Sequence, residues 1–388
     1  MKRASLSVLC LFLVISAISQ KNPMTEIPNF LNLGKEGIKD IEQLTELYLN
    51  PYGKGYSSAL AGGWNNTAKT HRLLGFDFNI GLTMAMIPKN DKSFNFDDYK
   101  WKVLKPESVE RPVTPTIAGK QTNRPSIGFH DKDKKIRKDN LFTMPDGTGL
   151  GFAPLPLAQL GVGIIGKTDL QVRIAPPLKI SDFGELFVFG AGIKHDIKQW
   201  IPVLKKIPVI DISLAFNYSI ANNTINNIKY FPDADGLGIP TQIDERKKYI
   251  DNELLPDVQL YKEGKDLSYF KDQELKIKMN AFSASLLASA TVPILTLYCR
   301  LGFSTSTTNV KLAGTYLLPN YIVDQGKIHA ELRKENEIKD PIDIDMKLPF
   351  SPLAGIGARA KFALFTVHAE YTYQDYHLLN FGVGLTFR

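Results

Sequence analysis

The feature that most constrains this chain is a run of alternating residues much longer than an ordinary strand. Over residues 74–86 every second side chain is apolar, from Leu74 to Met86, and the residues between them are small or polar. Such alternation gives an extended strand two different faces. Strands of soluble sheets average about 5–6 residues, whereas a tilted transmembrane strand needs about 9–11. The run therefore predicts a strand that crosses a membrane.

The same alternation returns along the rest of the chain. It predicts an all-β fold, an antiparallel transmembrane β-barrel of about 12 strands within a range of roughly 10–14. A soluble periplasmic β-protein is the alternative, because alternation alone does not show whether lipid or a second sheet covers the apolar face. Further strands are predicted at residues 160–165, 169–175, 184–193, 210–220, 275–287, 295–304, 354–364, 367–374 and 379–388, with weaker ones at 310–317 and 341–348.

The first residues have the pattern of a secretory signal peptide. Lys2 and Arg3 precede an apolar run at residues 6–15, and Ala17 and Ser19 supply a small-x-small cleavage pattern. We place the signal peptide at residues 1–19. No later segment has the 18 consecutive apolar residues of a transmembrane helix. The chain after the cut keeps one cysteine, Cys299, so it has no intramolecular disulfide.

Residues 20–72 form a separate N-terminal segment, and the barrel and its loops follow at residues 73–388. The segment holds a predicted helix at residues 35–50, with apolar residues at helical spacing and Pro51 as its end. We expect this helix to be a plug in the lumen or a cap at the periplasmic end. Long polar loops are predicted at residues 88–156 and 221–272, on the outer side. Short periplasmic turns are predicted at residues 166–168, 291–293 and 365–366, on the side where the last strand ends.

The small or polar face of the strands should line the lumen. On the last hairpin, His368 and Glu370 share this face, and Arg359 and Lys361 share it on the preceding strand. These four could form a proton relay or an anion-binding constriction. The simpler interpretation is cross-strand charge pairing that fills a narrow barrel. The residues predicted to face the lumen are Asp77, Asn79, Arg359, Lys361, His368 and Glu370; Tyr218, Tyr298, Tyr371 and Tyr373 are predicted near the headgroups.

The sequence offers no recognisable catalytic or cofactor motif. The six histidines have no zinc-binding spacing, and neither a Gly-x-Ser-x-Gly elbow nor a phosphate-binding loop is present. We predict no catalytic residues, no metal and no cofactor. The formal charge of +7 is dispersed and forms no nucleic-acid-binding module, so no nucleic-acid partner is predicted. The expected partners are outer-membrane lipid and the barrel assembly machinery, and the cargo is not specified.

Several segments resemble known families. Residues 63–77, 192–202, 204–208, 368–377 and 381–388 resemble an uncharacterised family of exported Bacteroidota proteins, a domain of unknown function. This resemblance implies an outer-membrane-type barrel with no established activity. More loosely, the order of helix and strands is similar to the long-chain fatty-acid transporter family, which implies a helical hatch and a fatty-acid cargo. The asparagine-proline-alanine motif of that family is absent, and residues 66–68 are the nearest approach to it.

The pattern as a whole predicts an outer-membrane protein for passive transport of small or hydrophobic molecules. Two alternatives stay open. A surface or structural barrel would act through its long loops, and a lipid-modifying barrel enzyme would depend on His368 and Glu370.

Overall fold

Ten antiparallel strands close into one barrel in the computed structural model, which describes residues 22–107, 112–179, 184–226 and 228–387. Each barrel strand pairs with its neighbours in sequence, and the first pairs with the last. The predicted signal peptide lies outside the described residues. The strands are β1 (Phe76–Met86), β2 (Phe152–Ile164), β3 (Thr168–Lys179), β4 (Glu185–Asp196), β5 (Ile210–Ile225), β6 (Glu274–Thr291), β7 (Leu295–Ala313), β8 (Ile342–Phe362), β9 (Phe365–Tyr373) and β10 (Leu378–Phe387).

The antiparallel barrel is confirmed, and the ten strands of the described residues are two fewer than the predicted number of about 12, at the lower limit of the predicted range. The weaker segments at 310–317 and 341–348 are not separate barrel strands. Residues 310–313 end β7, residues 342–348 begin β8, and Thr315–Leu317 is a short strand outside the barrel, so that β7 and β8 have 19 and 21 residues. Lengthening of β2 and β5 shortens the predicted loops to residues 87–151 and 226–273, and a third long loop between β7 and β8 spans residues 314–341.

The three long loops lie at one end of the barrel and form a structure that we call the cap. Residues 22–37 join it, and its buried side chains include Phe30, Phe129, Tyr316 and Leu332. The cap holds short strands at Ser93–Asn95 with Val113–Pro115, Leu104–Glu107 with Ser126–Asp131 and Ile136–Thr143, Thr315–Leu317 with Glu337–Lys339, and Asn320–Asp324 with Lys327–Glu331.

Short connections and the end of β10 lie at the opposite end of the barrel. The turns between β2 and β3, β6 and β7, and β8 and β9 have only two or three residues. A longer connection between β4 and β5 carries a 3-10 turn, Lys198–Trp200, and a helical turn, Pro202–Lys205. The β8–β9 turn is formed by Ala363 and Leu364, two residues before the predicted position.

The long helix lies inside the barrel. It is α1 (Ile38–Ala61), and it packs against β2, β6 and β8. The predicted end at Pro51 is wrong. Proline removes one helical hydrogen bond and crowds the preceding turn, but residues on both sides of it stay enclosed, including Tyr48 and Leu60 at 0% exposure. Packing inside the barrel therefore carries the helix through Pro51.

A 3-10 helix, Pro23–Leu33, precedes α1 and lies beside it. Gly34 makes the turn between them with φ +69, a conformation that favours glycine. Met24 and Tyr52 line the same cavity, so the first described residues reach back into the barrel. The remaining helices belong to the cap: Lys35–Gly37, Lys89–Lys92, Phe96–Asp98, Ile243–Tyr249, Leu255–Lys262, Ser268–Lys271 and Lys334–Asn336. Among the described residues, no helix is both long and apolar enough to span a membrane.

Glycines on the inner face of the wall make room for large side chains. A Cβ at Gly190 would lie 2.9 Å from the Trp64 ring, and one at Gly357 would lie 2.3 Å from Tyr298. The predicted position of Tyr298 near the headgroups is therefore wrong. The register of β7 turns its side chain inward, where it is only 4% exposed. Tyr218, Tyr371 and Tyr373 do lie on the exposed outer face.

We expect Gly190→Val to destabilise the barrel by about 1–3 kcal/mol, because the new side chain overpacks against Trp64. Adding Trp64→Ala should recover part of that loss, so that the double variant is more stable than the sum of the single effects predicts. The midpoint of the heat-dependent shift in gel mobility measures this. Ala191→Val, on the outer face of the same strand, is the control. Strictly additive losses would contradict the contact.

Candidate functional site: a plugged lumen

Residues 62–72 continue from α1 through the lumen to the short-turn end, and we call them the stopper. At its start Gly63 has φ +63, and a Cβ there would lie 2.4 Å from the Asn380 side chain. At its end the chain joins the wall, where the Leu74 amide donates to the Gly163 carbonyl at 2.9 Å. The stopper thus occupies the lower half of the barrel, by which we mean the half next to the short-turn end. It contacts the wall on opposite sides.

Trp64 anchors the upper part of the stopper. Its indole faces the guanidinium of Arg173, whose Cζ lies 3.9 Å from the ring centroid. Arg173 also donates to the Gly62 carbonyl at 2.9 Å and to Gln159 Oε1 at 3.1 Å, and Gln159 donates to the Trp64 carbonyl at 2.8 Å. These contacts combine a cation–π interaction with hydrogen bonds in a site closed to solvent.

A charged cluster holds the lower end of the stopper. The Asp169 carboxylate accepts from the His71 amide at 2.8 Å and lies 3.0 Å from His71 Nδ1. Lys194 Nζ lies 3.0 Å from the same carboxylate and donates to the Lys69 carbonyl at 3.1 Å. The side chains of Asp169 and Lys194 are only 1% and 3% exposed, so each is the compensating charge of the other.

Shorter polar contacts fill the space between these two anchors. Gln171 donates to Asn65 Oδ1 at 3.0 Å, the Ala68 amide donates to Ser289 Oγ at 3.1 Å, and Asn66 Nδ2 lies 3.4 Å from His368 Nδ1. A polar cavity of about 30 Å³ beside Trp64 has room for one or two water molecules. The interface between stopper and wall is therefore hydrogen-bonded and polar.

The structure places five of the six predicted lumen residues inward and buried: Asp77, Asn79, Arg359, His368 and Glu370. Lys361 is half-buried near the end of β8.

The contacts of His368 and Glu370 lead to different partners. Arg359 lies opposite His368 in the register, but His368 Nε2 lies 3.0 Å from Asn380 Oδ1. Glu370 pairs instead with Arg300 on β7 at 2.8 Å, an ion pair only 1% exposed on both sides. His368 and Glu370 thus serve separate contacts, and Asp77 accepts from Asn79.

Sequence reasoning missed several residues inside the barrel. Arg300 alternates with Leu297 and Leu301, so its inward direction follows from the pattern, but its partner Glu370 is set by the pairing of β7, β8 and β9. The strand predicted at residues 184–193 ends before Lys194, whereas β4 continues to Asp196 and turns Lys194 inward. No sequence signal marks Trp64, since it lies outside any strand.

The cap holds one group of three side chains with metal-ligating atoms within 4.8 Å of one another among the described residues: Glu107, His130 and Asp139. Arg137 Nε donates to Asp139 at 2.8 Å and lowers the pKa of Asp139 to about 2. Burial, and then the neighbouring Asp139 carboxyl, raise the pKa of Glu107 from 4.5 to about 7. The group is thus a pair of carboxyls in which Asp139 is charged against Arg137 and Glu107 keeps its proton near neutrality.

We expect Asp169→Asn to destabilise the protein by about 3–5 kcal/mol, because it leaves the buried Lys194 cation without its partner. Asp169→Asn with Lys194→Met should lose less than Asp169→Asn alone. Equilibrium unfolding followed by tryptophan emission measures both. An equal loss in the single and double variants would contradict the pairing.

The protonated form of Glu107 should stabilise the cap below pH 4.5, and this contribution should be lost as the pH rises through about 7, because the folded pKa is the higher one. Amide hydrogen exchange of the three-stranded cap sheet, corrected for the intrinsic rate, should therefore be faster at pH 8.5 than at pH 5.5. Glu107→Gln should remove this difference, and exposed Glu335→Gln should keep it. A pH-independent wild type would contradict the prediction.

Known structures give weak similarities over most of the chain. The COG4313 outer membrane channel from Pseudomonas putida F1 is 9% identical, with 84% of this chain and 100% of that chain covered and a TM-score of 0.33. The translocator domain of the autotransporter NalP from Neisseria meningitidis is 12% identical, with 89% and 98% covered and a TM-score of 0.25. The P. putida toluene transporter TodX is 9% identical, with 87% and 99% covered and a TM-score of 0.24. The fold assignment rests on the strand pairing of this chain itself.

No curated protein matches the sequence. A family model matches residues 1–387, nearly the whole chain. The chain belongs to the family of unknown function DUF6588.

Proposed function

We propose that this chain is an outer-membrane barrel that works as a passive channel, closed at rest by its stopper. The observation that carries the proposal is the division of the N-terminal segment into an apolar part in the cap and upper barrel and a polar part in the lower lumen.

The outer face of the wall supports a membrane location. Large apolar side chains are exposed on all sides of the barrel, and a soluble monomer rarely exposes so continuous an apolar surface. Lipid would cover this face, and the closed ladder leaves no unpaired strand edge in the bilayer. Examples from different strands are Ile80, Leu160, Val172, Phe189, Phe216, Leu286, Leu301, Ile356, Val367 and Phe381.

Helix α1 is held by apolar packing. Ile41, Leu44, Tyr48 and Leu49 are at most 1% exposed and belong to the same buried cluster as the cap. Moving this part of the segment would expose apolar surface to water, at about 25 cal/mol for each Å². We therefore assign α1 a fixed position.

The stopper is held differently. Gln159, Gln171, Lys194 and Ser289 contact it through hydrogen bonds, Asp169 accepts from its His71 amide, and Arg173 faces its Trp64 ring. Water can replace the hydrogen bonds at a net cost of about 1 kcal/mol for a neutral bond and about 1.5–3 kcal/mol for a bond to a charged group. The stopper is thus the part of the segment that can leave the lumen while the cap and α1 stay in place.

The wall behind the stopper is polar and charged. Arg173, Arg300 and Arg359 project inward with the carboxylates of Asp169 and Glu370. Such a lining suits small polar solutes. A fatty acyl chain, the cargo implied by the looser resemblance, would have no apolar path through this half of the lumen.

Planar-bilayer conductance tests the proposal. Wild-type barrels should be silent, and barrels that lack residues 22–72 should show steady open channels. Asp169→Asn, which keeps the whole chain, should show intermittent openings because it releases only the lower anchor.

A cross-link supplies the control in a Cys299→Ser background. Ala68→Cys with Ser289→Cys should suppress the openings of Asp169→Asn under oxidation, and reductant should restore them. Folded barrels of the deletion and of Asp169→Asn that pass no current would overturn the proposal.

A surface barrel that acts through the cap is the second candidate. The observation in its favour is that the cap has a built core, with Phe30 against Phe142 at 5.4 Å and Phe129 against Tyr321 at 4.8 Å between ring centroids. Replacing residues 226–273 with a short turn should then abolish a cell-surface phenotype. The same replacement should leave unchanged the conductance of the variant that lacks residues 22–72.

A further inference from the structure

The short-turn end of the barrel has a composition unlike that of the cap. We call it the inner rim, residues 69–75, 165–168, 195–211, 291–295 and 361–365. Its surface carboxylates are Asp196 and Asp211, whose side chains are 13% and 14% exposed and ion-paired with Lys167 at 3.6 Å and Lys198 at 3.8 Å. Most other acidic residues of the described chain lie in the cap or in the lumen.

The rim exposes more basic than acidic side chains. Lys69, Arg72, Lys205 and Lys206 are exposed, and the described residues give none of them an ion pair. The rim therefore presents net positive charge on the surface that faces away from the cap.

Large apolar side chains accompany these cations at the tips of the turns. Leu74 is 78% exposed, Ile165 79%, Trp200 66%, Val203 73% and Phe365 66%. Turn tips are ordinarily polar when only water surrounds them. An apolar ring with basic residues among it is the pattern of a surface that lies at a membrane interface.

The β4–β5 connection is the longest part of the rim, and its own contacts hold it in place. Lys198 Nζ donates to the carbonyls of Ile207 and Ile210, the Trp200 ring lies 4.8 Å from the His195 ring, and Gln199 donates to the Asp196 carbonyl at 2.7 Å. These contacts hold Trp200 and Val203 outward before any partner binds.

This exposed surface continues directly into the lipid-facing wall. Val209 is 46% exposed at the end of the connection, and Leu214 and Phe216 follow it on the outer face of β5. The apolar side chains of the connection therefore meet the same medium as the wall, and the lysines lie beside them.

We propose that the inner rim binds anionic glycerophospholipids, with Lys205 and Lys206 at the headgroups and Trp200 and Val203 at the boundary with the acyl chains. The inference rests on the membrane location proposed above, and it is independent of whether the stopper opens. It fixes the depth of the barrel in the leaflet on the short-turn side.

Trp200 is also the probe that tests it. The chain has three tryptophans: Trp64 is 2% exposed in the lumen, Trp101 belongs to the cap, and Trp200 is exposed on the rim. In a Trp101→Phe background, the full chain is reconstituted into vesicles that contain brominated phosphatidylglycerol or brominated phosphatidylcholine at equal mole fraction.

Quenching of the emission should be stronger with the brominated anionic lipid. Lys205→Gln with Lys206→Gln should lower the relative affinity for the anionic lipid by roughly fivefold for each lysine removed. Lys105→Gln with Lys132→Gln, two exposed lysines of the cap, should leave the preference unchanged, and Trp200→Phe should remove the quenching.

Each remaining outcome overturns the inference in a recognisable way. Equal quenching by both lipids would place Trp200 in lipid and deny the anionic preference. A barrel could float with the vesicles and shift in gel mobility on heating, yet show no quenching. That result would keep the membrane location, contradict lipid binding by the rim and favour an acidic protein as its partner. A barrel that does not float would remove the membrane location and the inference with it.

Discussion

The interior of a closed barrel has to be filled, and most of this structure follows from how that is done. Closure leaves none of the ten described strands with a free edge, but it also creates a lumen whose wall is lined by charged side chains. Those charges are costly in a dry interior unless each has a partner. Asp169 pairs with Lys194 and Glu370 with Arg300 within the wall, and the stopper adds hydrogen bonds to Arg173, Lys194 and Asp169. Glycines such as Gly190 and Gly192 then become necessary, since they leave the volume that Trp64 occupies.

The division of the N-terminal segment into an apolar and a polar part has the same origin. Apolar surface in α1 faces the buried cluster it shares with the cap, whereas polar groups in the stopper face the charged wall. A hydrogen-bonded contact can be exchanged for water, and an apolar one cannot be without loss of free energy. The change of interface type at Gly62 therefore marks the point at which the opening proposed above would separate the stopper from α1.

Much of the wall was predictable from the sequence, because alternation with a period of two is a local property. The ten strands predicted from clear alternation all belong to the barrel. The inward direction of residues such as Asp77 and His368 follows from their position in that alternation. The errors arise where distant contacts decide. Packing in the lumen carries α1 past Pro51, and the extensions of β7 and β8 have the same alternation as separate barrel strands. The pairing of Glu370 with Arg300 depends on residues 70 positions apart that meet only through strand order.

The place of the stopper in the chain has a consequence for how the barrel forms. The stopper leads directly into β1, and β1 makes the seam with β10, where Phe76 lies opposite Phe387. This pairing has the largest sequence separation in the wall, and contacts of that kind form late. The stopper, which occupies the lumen, is therefore joined covalently to the strand that closes the barrel. Pairing of β1 with β10 brings the end of the stopper and the seam of the wall to the same place, so the order of the chain couples closing the wall to filling its interior.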